Sequence, residues 1–120
     1  MASSLNSRAI LVVEDEPLIG FDLADALEAA GAQAHYARRM SYALKLIDNH
    51  TFHGAVIDWD VPDETAETLC KSLEERGVPY VVYSGLTQKP NGCDRGLFIP
   101  KPTTTEHLIG AVTQIVTTAA

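Results

Sequence analysis

The chain has 120 residues, enough for one domain with its own core. It is 46% hydrophobic and 21% charged, so it is globular rather than disordered, and nine basic residues against sixteen acidic ones leave a formal charge of −7. With Arg38-Arg39 as the only adjacent basic pair, a nucleic acid is not expected as the direct partner. No apolar run approaches the roughly 18 residues of a membrane span, so no membrane association is expected. Residues 1–7, MASSLNS, are small and polar, unlike a secretory leader, and are expected to be a flexible tail before a single domain over 8–118. Cys70 and Cys93 form neither a C-x-x-C pair nor a disulfide framework. They are expected as free thiols, which fits a reducing cytoplasm.

The elements then alternate along the chain. Ala9–Val13 is an apolar run that reads as a strand, and it runs directly into Glu14, Asp15 and Glu16. Pro17 suits the first turn of a helix, and Leu23, Ala26, Leu27 and Ala30 follow at helical spacing up to Gly31, a good stop. Gln33–Ala37 is a weaker strand, followed by a helix over Met40–Asp48. Ala55–Ile57 is the third strand, and Ala66–Arg76 is a helix stopped by Gly77. Tyr80–Tyr83 and Leu97–Ile99 are two more strands. Thr103-x-x-Glu106 reads as a capping box for a last helix carrying Leu108, Ile109, Val112, Ile115 and Val116. Alternating strands and helices, with strands apolar throughout, predict an α/β fold: a parallel sheet covered on both faces. Right-handed crossovers put every strand C-terminus on one edge, where open α/β sheets bind ligands.

Polar groups gather at that edge. Glu14 and Asp15 follow the first strand, Asp58 follows "GAVI", Ser84-Gly85 follows "YVVY", and Lys101 follows "LFIP". Each has an ordinary explanation when taken alone: helix N-terminal charge for the acids, turns for Asp58 and Ser84-Gly85, a solvated loop for Lys101. Together they are a different object. Carboxylate oxygens suit a hard cation such as Mg²⁺, while a lysine and a hydroxyl facing it can hold phosphate oxygens. An aspartate can itself attack phosphorus.

These segments, "ILVVEDEPLI", "VIDWDVP", "VVYSG" and "FIPKP", resemble in order and spacing the receiver domain of bacterial response regulators. The resemblance covers about Arg8 to Thr118. It implies a doubly wound, flavodoxin-like sheet of five parallel strands in the order 2-1-3-4-5. It also implies that Asp58 is the phosphoacceptor and that Mg²⁺ is held by Glu14, Asp15, Asp58 and the backbone carbonyl of Asp60. By the same resemblance Ser84 is the switch hydroxyl, Lys101 the phosphate-facing lysine, Phe98 the aromatic switch position, and Lys101-Pro102 a cis bond. Glu16 and Pro17 belong to the first motif without touching the metal.

Two departures from the family pattern stand out. Thr65 and Ala66 occupy positions that are Asp-Gly in many receivers. The connection from Ser84 to Lys101 is short and holds Pro90, Asn91, Gly92 and Gly96, all breakers, so the fourth helix is expected to be short or absent. That loosely resembles the alphaproteobacterial single-domain subgroup with a Phe-Ala-Thr-Gly motif, here Val82-Tyr83-Ser84-Gly85. Pro100 inside a strand fits only if the fifth strand lies at an edge.

The implied function is that of a stand-alone cytoplasmic receiver, not an enzyme in its own right. It would take a phosphoryl group from a sensor histidine kinase or histidine phosphotransferase and signal to an unknown downstream protein by contact, or store phosphate, since no effector domain follows Thr118. Two rivals remain: a receiver-like adaptor that takes no phosphate, and an aspartyl-phosphate phosphatase, for which "DWDV" supplies a D-x-D motif with the second aspartate as general acid. His50 and His53 flank Phe52 in a loop without a metal pattern. Trp59 and Tyr83 read as packing or pocket wall.

Overall fold

The computed structural model describes residues 5–61 and 66–119. Its strands are β1 (Ala9–Val13), β2 (Gln33–Ala37), β3 (Gly54–Asp58), β4 (Tyr80–Ser84) and β5 (Leu97–Pro100). Its helices are α1 (Pro17–Ala29), α2 (Met40–Asn49), α3 (Ala66–Glu75) and α4 (Thr105–Ala119). All four strand pairings are parallel, in the order β2-β1-β3-β4-β5. The sequence pattern therefore anticipated the element order and the parallel sheet, and the family resemblance anticipated the strand order.

Strand periodicity explains the two layers, because successive side chains point to opposite faces. Leu11 and Val13 of β1, Ala55 and Ile57 of β3, and Tyr80 and Val82 of β4 enter one core with residues of α2 and α3. Ile10 and Val12, Val56, and Val81 and Tyr83 enter the other, with residues of α1 and α4. β1, β3 and β4 are buried at every position, as expected for central strands covered on both faces. The edge strands β2 and β5 are only partly buried. Pro100 sits at the end of edge strand β5, paired in register with Ser84, so its missing N–H removes no central ladder bond.

Local signals place the helices. Pro17 occupies the first turn of α1, and Gly31 takes a φ of +94° after its end, a conformation that favours glycine. The cap of α4 lies one residue later than the sequence suggested. Thr104 Oγ1, not Thr103, accepts the His107 N–H at 3.0 Å, and Glu106 falls in the first turn rather than closing a capping box.

Two further expectations change. Leu5, placed within the flexible tail 1–7, is fully buried in the α1/α4 core. The adjoining turn is pinned by the Ser7 N–H on the Gly31 carbonyl at 2.8 Å. Burying one leucine stabilises by about 1.5–3 kcal/mol, so Leu5–Ser7 belong to the folded unit, while residues 1–4 of the expected tail lie outside the described residues. Cys70 and Cys93, expected as free thiols, form a disulfide with Cα atoms 5.2 Å apart. It joins α3 to the β4–β5 connection, and both residues are fully buried. That connection contains no helix, in accord with its breakers; α4 is thus the helix after β5. Thr65, one of the two departures from the family pattern, lies outside the described residues, whereas Ala66 opens α3 and is buried. Among the described residues no helix is long and apolar enough to cross a membrane.

Candidate functional site

The C-terminal ends of β1, β3, β4 and β5 open on a cleft of about 850 Å³ whose lining includes Glu14, Asp15, Asp58, Asp60, Tyr83 and Lys101. All four strands deliver a residue named from sequence. On the β1–β3 side, one carboxylate oxygen each from Glu14, Asp15 and Asp58 lie within 4.8 Å of one another, a group able to hold a metal ion. Glu14 and Asp58 are buried, at 1% and 3% exposure. Three carboxylates this close, two of them out of water, are unfavourable without positive charge among them. Hard oxygen donors in a partly open cluster suit Mg²⁺.

Glu14 is the most constrained of the three. Its N–H donates to the Ala37 carbonyl at 3.1 Å, and its own carbonyl accepts the Tyr36 hydroxyl at 2.7 Å. Its Oε1 accepts the Glu16 N–H at 3.0 Å, and Oε2 accepts the Tyr83 hydroxyl. Burial drives the Glu14 carboxyl up to about 7; the Tyr83 and Glu16 hydrogen bonds oppose this, and the Asp58 charge adds to it. Burial and the Glu14 acceptor push the Tyr83 hydroxyl well above its ordinary value, so it remains a donor. Gly20 makes this possible on the α1 side, because a Cβ there would lie 2.4 Å from a Tyr36 ring carbon.

On the β4–β5 side, Lys101 Nζ stands 2.9 Å from Asp58 Oδ1 and 3.0 Å from Asp60 Oδ2. Burial would lower the ammonium, but the two carboxylates outweigh it and raise it, so Lys101 is held charged. Its position is fixed by the backbone. The Lys101 N–H donates to the Ser84 carbonyl at 2.8 Å, and the Lys101-Pro102 bond is cis, as the resemblance implied. Ser84 is fully buried; its hydroxyl donates to Asp60 Oδ1 at 3.0 Å and accepts the Leu86 N–H at 3.1 Å. The Asp60 N–H donates to Asp58 Oδ1 at 2.9 Å. This bond and the one from Lys101 both fall on Oδ1.

The structure brings Glu14, Asp15, Asp58, Asp60, Ser84 and Lys101 together. Phe98 does not reach the cleft. It is half-buried on β5 beside Val82, where no helix of the β4–β5 connection covers it. Two participants escaped the sequence reading. Tyr83, read as pocket wall, is the hydrogen-bond donor to Glu14 and also places its ring 5.3 Å from Lys101 Nζ. Asp60, read for its carbonyl at the metal and for its carboxylate only as the general acid of the phosphatase alternative, brings that carboxylate into the basic side of the cleft.

No family model matches the chain. Among curated proteins it is similar to the sensor protein TorS of Escherichia coli K12, at 31% identity over an alignment of 117 residues, with 89% of this chain and 13% of that protein covered. The chain thus spans about an eighth of the length of this curated relative. Among solved structures it is similar to the receiver domain of the Francisella response regulator 1452, with a TM-score of 0.81 and 25% identity over 95% of this chain and 100% of that one. It is also similar to a CheY-like receiver domain protein from Methanospirillum hungatei JF-1, with a TM-score of 0.83 and 21% identity over 95% and 97% of the two chains. The chain therefore has the receiver fold of response regulators, with four helices about the five-stranded sheet.

Proposed function

We propose that this domain, a receiver of the response-regulator type, takes a phosphoryl group onto Asp58 from a phosphohistidine on a sensor histidine kinase or histidine phosphotransferase, and signals by protein contact. The observation that carries this reading is the juxtaposition at one buried aspartate: a three-carboxylate cluster on one side, and Lys101 bonded to Asp58 Oδ1 on the other.

Glu14, Asp15 and Asp58, with the Asp60 carbonyl, would hold Mg²⁺. When bound, the ion supplies positive charge that offsets repulsion between the carboxylates and an incoming phosphoryl group. The chain's own residues do the rest. An Asp58 oxygen bonds to phosphorus as the P–N bond of the phosphohistidine breaks, and the bonding pair leaves with the imidazole nitrogen. Lys101 and the Ser84 hydroxyl then hold two of the phosphoryl oxygens, which is electrostatic stabilisation by groups already in place. Ser84 ends β4 and Phe98 lies on the neighbouring strand, so movement of the hydroxyl toward phosphate is the step that Phe98 would follow.

The Asp60 carboxylate weighs against the phosphatase alternative. Burial would raise it, but the Gly85 N–H, Lys101 and Ser84 outweigh burial and hold it below the usual carboxylate range. A general acid needs a proton to give, and this group holds none at neutral pH. A cytoplasmic setting goes with the proposed donor; there the Cys70–Cys93 bond faces pools that keep most thiols reduced.

Incubation with a small-molecule phosphodonor and Mg²⁺, followed by intact-mass measurement, tests this. One added phosphoryl group is expected on the wild type and none on Asp58→Asn. A wild type that never labels would support the phosphate-independent adaptor instead, and labelling of Asp58→Asn would move the acceptor elsewhere.

A further inference from the structure

The phosphotransfer reading uses only the backbone carbonyl of Asp60, yet its side chain occupies the centre of the basic half of the cleft. Oδ1 accepts the Ser84 hydroxyl at 3.0 Å. Oδ2 accepts the Gly85 N–H at 2.9 Å and lies 3.0 Å from Lys101 Nζ. An ammonium, a hydroxyl and a backbone N–H thus converge on one internal anion. They are the same donors that a phosphoryl group on Asp58 would need.

We infer that Asp60 is a built-in occupant of the phosphoryl cradle. Its carboxylate holds Lys101, Ser84 and the Gly85 N–H in the unmodified protein and must leave them when Asp58 is modified, so the side chain sets the affinity of the site for a phosphoryl group. The inference rests on Asp58 as the acceptor.

Three observations make the exchange physically reasonable. First, the Asp60 side chain is 40% exposed while that of Asp58 is 4% exposed. Asp60 can swing into water without carrying a charge through a dry interior. Second, its backbone stays anchored through the N–H bond to Asp58 Oδ1, so release needs side-chain rotation rather than refolding of the turn. Third, a phosphoryl group carries more negative charge and more acceptor oxygens than one carboxylate, so it wins the competition for shared donors.

Release also has a structural consequence. The Ser84 hydroxyl that donates to Asp60 accepts from the Leu86 N–H, and Gly85 between them donates to Asp60. Asp60 therefore ties the turn after β3 to the first residues of the β4–β5 connection. Its departure frees the end of β4 at the moment the phosphoryl group arrives.

The test compares Asp60→Ala and Asp60→Asn with the wild type, and uses Glu16→Gln as a control that removes one acidic charge outside the cradle. With saturating Mg²⁺, beryllofluoride binding is followed by Trp59 fluorescence. Asp60→Ala is expected to bind on the order of tenfold more tightly than wild type, Asp60→Asn by a smaller factor, and Glu16→Gln by little. Affinity in Asp60→Ala no higher than in Glu16→Gln would overturn the inference, because the effect would then be general charge. A second arm needs neither metal nor phosphoryl group. Nuclear magnetic resonance should show the Gly85 amide exchanging faster, and the Lys101 ammonium titrating lower, in Asp60→Ala than in wild type. Unchanged Gly85 and Lys101 would mean that the carboxylate does not hold the cradle. If no protein is labelled by a small phosphodonor, the phosphoacceptor reading fails, while the metal-free arm still decides whether Asp60 occupies the donors.

Discussion

On the β1–β3 side of the cleft three carboxylates converge, with tyrosine hydroxyls and backbone N–H groups around them; on the β4–β5 side Lys101, Ser84 and Gly85 converge on one carboxylate, that of Asp60. The acidic side carries an excess of negative charge and buries most of it. The basic side balances its charge with an internal anion that is partly in water. The two halves are thus prepared for different arrivals. On the acidic side Lys101 is ion-paired to Asp58, and the clustered carboxylates favour the arrival of a further cation. On the basic side the donors already hold the Asp60 carboxylate, so an incoming anion must replace a group already there. Asp58 is the hinge between the halves, because its carboxylate belongs to the acidic cluster and is bonded to the lysine.

The largest effects should separate the halves by how they can be rescued. Asp15→Asn and Lys101→Ala should each slow phosphoryl acceptance, on the order of 10²-fold. Raised Mg²⁺ should restore much of the rate to Asp15→Asn and none to Lys101→Ala, since lysine is no metal ligand. Labelling rates across a Mg²⁺ series check this; equal rescue of both variants would erase the division.

A smaller effect should appear in pH dependence. The ordinary Glu14 value of 4.5 rises to about 7 in the fold, chiefly through burial. A raised folded value means the native state binds the proton more tightly than the unfolded chain does. The stability from this group is therefore fully present below the unfolded value and is lost as pH rises through the folded one. In chelator, the thermal midpoint should decline between about pH 4.5 and pH 7 as the Glu14 carboxyl ionises. Glu14→Gln should flatten that decline, and saturating Mg²⁺ should do the same. A slope that is identical in Glu14→Gln would assign the pH dependence to another group.

The smallest effect concerns the β4–β5 connection, where the two halves meet the rest of the molecule. Residues 85–89 are exposed throughout, whereas Pro90, Cys93 and Gly96 are buried, Cys93 is bonded to Cys70, and the Arg95 N–H donates to Glu74 at 3.0 Å. Amide exchange should be fastest in residues 86–89 and slower in 93–96, and reduction of the disulfide should speed exchange in the second group alone. Uniform exchange across 85–96, insensitive to reduction, would show a segment not divided in this way.

Most of this was legible in the sequence, and the exceptions have a common physical form. β1, β3 and β4 announced themselves as short apolar runs, and the breakers Pro90, Gly92 and Gly96 announced the missing helix. The polar residues at the strand ends were placed by topology alone. What escaped were pairings between groups distant in the chain whose identity gives no hint of the partner. Cys70 and Cys93 are 23 residues apart without a motif, and only the packing of α3 beside the β4–β5 connection brings them together. Tyr83 and Glu14 are 69 apart, and burial on β4 hid the polar end of a residue that reads as core. The Asp60 side chain entered only as the general acid of the phosphatase alternative, because its backbone already had a role at the metal. Thr104 displaced Thr103 as the cap because two adjacent threonines offer the same chemistry, and only the turn geometry chooses between them.

The division of the cleft is tested most directly by titrating Mg²⁺ while following Trp59, which adjoins Asp58, in the wild type, Asp15→Asn and Lys101→Ala, each first shown to be folded. The expected result is a Mg²⁺-dependent fluorescence change in wild type that persists in Lys101→Ala with little loss of affinity and is weakened on the order of tenfold or more in Asp15→Asn. Loss of the signal in a folded Lys101→Ala, with Asp15→Asn unaffected, would contradict the assignment of cation to the acidic half and phosphoryl group to the basic one.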